Sequence, residues 1–181
     1  MKTIIFLVSI TLLTSCAVGY KTIDPKSINY VSIDKHNDIK LEYKYDLLDK
    51  RYAKKEEKKE IKLVAVKITN NSNKDLIFGR DLILTYENGN EIFIIENTKV
   101  FKLLKQQPAT HLLYLLLTPM NLYTQNSNGT VNSTPIGLVL GPTIAGGNII
   151  AADAANSNFK TELLEYSING KSIKKGKTTY G

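Results

Sequence analysis

A single cysteine, Cys16, excludes any disulfide within the chain. Two histidines, His36 and His111, are too few and too far apart for the H-x-x-x-H spacing of a helical zinc site. No G-x-G-x-x-G opens a dinucleotide fold, and no serine sits in G-x-S-x-G. Gly141 and Gly146 have the spacing of the two P-loop glycines. Gly147 and Asn148 then stand where a phosphate-binding Lys and a magnesium-binding Ser or Thr are needed, so that reading is rejected. No pair of acids is set apart for hydrolysis, and the expectation is a non-catalytic protein with no cofactor and no metal. His36 between Asp34 and Asp38 has metal-ligand chemistry, against which stands a solvated turn. Nor is there a zinc-finger spacing or an RNA-binding aromatic motif, so no nucleic-acid partner is expected.

What is present is ordinary for a globular chain: 181 residues, 43% hydrophobic and 23% charged. The formal net charge is +7, from 24 Lys and Arg against 17 Asp and Glu, which favours anionic surfaces. The N-terminus carries Lys2 and then an almost unbroken apolar run from Ile4 to Leu13, of signal-peptide length and too short to span a bilayer. Leu13, Thr14, Ser15 and Cys16 follow. These four residues resemble the lipobox of bacterial lipoproteins. The resemblance implies residues 1–15 as a signal peptide, a lipid on Cys16 that ties the chain to a membrane, and a tether over 16–26. Without an Asp after Cys16, it also implies the outer membrane, periplasmic side.

The rest, 27–181, reads as mainly β. Ile39 to Leu47 alternates apolar and charged side chains, as a strand with one wet face requires, with Leu41 and Tyr43 inward and Lys40, Glu42 and Lys44 outward. Ile61 to Thr69 is apolar on both phases, which suits a central strand. Asn88-Gly89 between two apolar runs is a hairpin signal. The run from Leu63 through Glu91 resembles the immunoglobulin-like β-sandwich of bacterial envelope lipoproteins. Between these strands, 50–62 is crowded with Lys and Glu, and a helix would place Lys54/Lys58, Lys55/Lys59 and Glu56/Glu60 at repulsive spacing. The expectation is an exposed connection, with a patch for phosphate-bearing lipid or polymer as its functional alternative.

From about 99 to 166 the period changes, predicting a helical insertion (α+β overall). A helix over 99–106 is followed by an apolar segment at 109–117, a polar loop over 125–134 and a small-residue segment over 136–155 closed by Asn156-Ser157-Asn158. Gly137 and Gly141 form a GxxxG, and Thr143, Gly147, Ala151 and Ala155 recur every four residues. Such a stripe lets a neighbouring helix approach closely. The expected role is a lipid-anchored envelope module that meets a protein partner through 109–157. The alternative is a membrane-perturbing lipoprotein that uses the same insertion, and a less favoured one is an envelope hydrolase.

Overall fold

The computed structural model describes residues 16–181. They divide into two compact units. One, strand-rich, comprises Tyr20–Lys105 and Asn158–Gly181; the other comprises 16–19 and Gln106–Ser157.

In the strand-rich unit, β1 (Ser32–His36) and β2 (Ile39–Lys44) form a hairpin closed at Asn37, whose φ of 50° lies in the left-handed region asparagine tolerates. β3 (Ala65–Asn70) pairs antiparallel with β2, placing Leu41 opposite Ile68 and Glu42 opposite Lys67. β8 (Lys177–Tyr180) closes the far edge, for a strand order β1-β2-β3-β8. A second, two-stranded sheet pairs β4 (Leu76–Ile77) with β7 (Ser172–Ile173). Val66, Ile68, Phe78, Ile168 and Ile173 form the buried cluster under these strands, with Leu41 and Tyr43 half-buried against it.

This arrangement corrects the expected fold class. The described residues are 34% helix and 22% strand, and the sheets stay open. A sandwich needs two sheets facing each other across a shared core. Here the core of the four-stranded sheet is completed by Phe78, Ile168 and Ile173 from short segments, and the described residues build no opposing sheet. The strand signal around Asn88-Gly89 yields a turn and a single bridge between Thr85 and Glu91. The resemblance to envelope lipoproteins of immunoglobulin type falls with the sandwich. Leu13, Thr14 and Ser15 lie outside the described residues; Cys16 is an exposed free thiol.

The charged stretch over 50–62 is also corrected. It forms helix α1 (Lys50–Lys58), because tertiary burial outweighs the like-charge pairs. Tyr52 is sealed inside, and Glu56 is turned inward to accept the Leu63 backbone N–H at 2.6 Å. Helix α2 (Asn97–Leu104) adds Leu104. Tyr52 and Leu104 pack with Leu48 and Phe159, and Phe159 meets the rings of Tyr20, Tyr52 and Phe101 at centroid distances of 5.2, 5.1 and 6.2 Å. Glu162 ties the residues before β1 to this cluster, accepting from the Tyr20 hydroxyl at 2.5 Å and the Ile23 N–H at 2.7 Å.

Glu42 departs from its expected place at a solvated face. It is 9% exposed, held by Lys40 at 3.0 Å and Lys67 at 2.9 Å. Hydrogen bonds from Lys67 and then Lys40 hold its carboxyl below the usual glutamate range against the cost of burial.

Candidate functional site: an uncharged apolar surface

Between Lys105 and Lys160 the only ionised side chain is Asp153, so the second unit differs in kind from the first. Pro108 at its first turn starts a 3-10 segment, Pro108–Leu117, in which His111 and Tyr114 are buried with rings stacked at 6.2 Å. Next comes a hairpin of β5 (Leu122–Gln125) and β6 (Val131–Thr134), where the sequence suggests a polar loop. All eight strand residues are exposed.

Helix α3 (Gly137–Glu165) then runs for 29 residues. It continues through Asn156-Ser157-Asn158, the expected terminator. The reason is that Asn156 spends its side chain elsewhere: its Oδ1 accepts the Gln106 N–H at 2.7 Å and its Nδ2 donates to the Gln106 carbonyl at 3.0 Å. It therefore offers the helix backbone no competing partner. Gln106 in turn bonds both the N–H and the carbonyl of Val18, and Asn148 accepts from the Ala17 N–H.

The stripe residues separate onto two faces. Gly137 and Gly141 are packed against the end of the 3-10 segment. A methyl group at Gly137 would collide with the Leu117 and Thr118 carbonyl oxygens. One at Gly141 would stand 2.9 Å from Thr118 Oγ1 and 3.1 Å from the Tyr114 carbonyl. Ala145, Ala152 and Ala155 continue this buried face. Thr143, Gly147 and Ala151 are exposed, and a methyl group at Gly147 would meet nothing within 4 Å. The sequence offers both phases as small-residue stripes. Only the i, i+4, i+8 spacing of Gly137, Gly141 and Ala145 marks the packed one, and sequence reasoning misses Ala145.

Nor does the sequence reveal how much apolar surface stays uncovered. Leu116, Ile150 and Val139 are 74%, 72% and 67% exposed, and Leu112, Leu113, Leu138, Val131 and Tyr123 are each at least half exposed. Uncovered apolar surface on this scale marks a lipid- or protein-facing region. By length and composition α3 is able to cross a membrane, and only 22% of its apolar window is buried. Its charge-free part ends at Ala152, giving about 24 Å at 1.5 Å per residue against a hydrocarbon core of about 30 Å. Asp153 at the bilayer centre would cost about 3 kcal/mol.

The residues singled out for other chemistry are not gathered here. His36 is exposed on β1, and Cys16 stands as a lone exposed thiol. Among the described residues no three His, Cys, Asp or Glu converge on a metal-sized site. No family model matches this chain, and no curated protein or solved structure does either.

Proposed function

We propose that this protein is a non-enzymatic, membrane-perturbing protein whose apolar unit, 106–157, enters a lipid bilayer. The observation that carries the reading is the exposure of Leu116, Val139 and Ile150 in a stretch with one ionised side chain. Transfer of such surface from water to acyl chains contributes about 25 cal/mol per Å² buried, with Asp153 the one ionised side chain over 106–157 to desolvate. The charge-free length of α3 falls short of a full crossing, which favours penetration that disturbs packing over a clean span. The hairpin's backbone edges suit the headgroup layer, where water still satisfies them.

The chain has no tryptophan, so Leu116→Trp places a single reporter on the surface in question. With phosphatidylcholine vesicles its emission should shift to the blue and be quenched by acyl-chain bromines, and entrapped dye should leak. Val139→Asp with Ile150→Asp should abolish all three signals. A reporter whose emission ignores protein-free vesicles would overturn the reading and turn the same surface toward a protein partner.

A further inference from the structure

In the strand-rich unit, α1 and α2 gather cations that the sequence disperses among acids. Arg51, Lys55 and Lys59 fall on successive turns of α1 and its C-terminal cap. Lys55 donates its ammonium to the carbonyl of Lys105, the residue that caps α2. Lys105 and Lys160 each hold an ammonium 5.9 Å from the centre of the Phe101 ring. Of the acids that dilute this run in sequence, Glu56 and Glu57 lie off the line of Arg51, Lys55 and Lys59, and Glu60 follows Lys59 at an exposed position. Glu56 is 2% exposed and committed to Leu63, and Glu57 lies about 200° around the helix from Lys55. Among the described residues, Lys55, Lys59, Lys105 and Lys160 have no carboxylate partner. Burial first, then repulsion from Arg51, Lys59 and Lys105, pushes the Lys55 ammonium below the ordinary lysine range.

We infer that Lys55, Lys59, Lys105 and Lys160 form a docking patch for the phosphates of anionic lipid headgroups. Like charges held together by the fold are relieved when an anionic surface replaces solvent counterions, and the gain is about 1 kcal/mol per basic residue at the surface. The Phe101 ring beneath two of the ammoniums gives the patch an apolar floor. A lipid source is favoured over free phosphate because the same chain exposes the apolar surface of 106–157; in that respect the inference rests on the membrane reading.

The test is vesicle flotation of the full chain with phosphatidylcholine alone and with equal parts phosphatidylcholine and phosphatidylglycerol. The wild-type protein should favour the anionic vesicles. Lys55→Gln, Lys59→Gln and Lys105→Gln together should cut that preference by about a hundredfold, at about fivefold per lysine. Lys26→Gln, Lys35→Gln and Lys177→Gln, the same charge change at exposed sites elsewhere, should leave it within about twofold of wild type on the reading that location, not net charge, decides. Lys105→Gln with Lys160→Gln, both at exposed positions, repeats the test without touching α1. Equal loss in the control triple overturns the patch, as does equal uptake by both vesicle types. Saturable binding of inorganic phosphate, abolished by the patch substitutions and without vesicle preference, overturns lipid as the source. Uptake by phosphatidylcholine alone reports the apolar unit, so the two readings fail separately.

Discussion

Phe159, Ile173, Leu104 and Ile68 of the strand-rich unit are each at most 2% exposed, whereas Leu116, Ile150 and Val139 of the apolar unit are 67–74% exposed. The first unit carries nearly all the ionised groups and uses them both outside and inside, as at Glu42. The second has almost none and holds itself together by close backbone approach at glycine and by side-chain amide bonds at Gln106, Asn148 and Asn156. The difference teaches that hydrophobic content alone does not report a core. In one unit apolar side chains are spent on stability. In the other most of them stay exposed.

The largest expected effect breaks the comparison on the strand-rich side. Phe159→Ala should cost about 3–5 kcal/mol in urea unfolding, because the rings of Tyr20, Tyr52 and Phe101 lose their common neighbour. If it costs under about 1 kcal/mol, that cluster is not a core.

Next, two glycines of one helix should respond with opposite sign. Gly137→Ala should destabilise by about 1–3 kcal/mol, since the added methyl meets backbone that cannot swing aside. Gly147→Ala should be neutral or stabilise by up to about 1 kcal/mol, because it meets nothing and gains helix propensity. Thermal melting of the pair decides whether the packed face is the one containing Gly137 and Gly141.

Glu42 sharpens the electrostatic half of the comparison. Its folded carboxyl titrates below the ordinary value of 4.5, so it contributes stability above pH 4.5 that is lost as pH falls through the depressed folded value. Glu42→Gln should cost about 1–2 kcal/mol at pH 7 and flatten the stability profile between that folded value and pH 4.5. A profile identical to wild type would remove the Lys40–Glu42–Lys67 network from the account.

The smallest effect is on folding at the apolar surface. Leu116→Lys should change stability in water by under about 0.5 kcal/mol while sharply reducing vesicle leakage. A large loss of stability instead would return Leu116 to the core.

Several local elements are legible in the amino-acid sequence. The strands through Leu41 and Tyr43 and over β3 follow from hydrophobic period, although the burial of Glu42 does not. The apolar segment at 109–117 is visible too, although its 3-10 form is not. The α1 helix is hidden because isolated charge spacing argues against it, and the burial of Tyr52 and Glu56 that reverses the argument is long-range. The continuity of α3 is hidden because Asn156 reads as a terminator until Gln106, fifty residues away, takes its side chain. The β-sandwich over-reads strand spacing, since spacing cannot say whether two short sheets will face each other.

Sequence by itself determined the segregation of charge: one ionised group from Gln106 to Asn158, and every described cation outside it. It also determined the small residues that let α3 be approached closely, because backbone access depends on side-chain size at known positions. Only the tertiary structure decided which face of α3 is packed, which acids of 50–62 turn inward, and which lysines stand together at Phe101. Each of those outcomes depends on partners distant in sequence, and helical periodicity repeats too evenly for a chain read alone to choose among its faces.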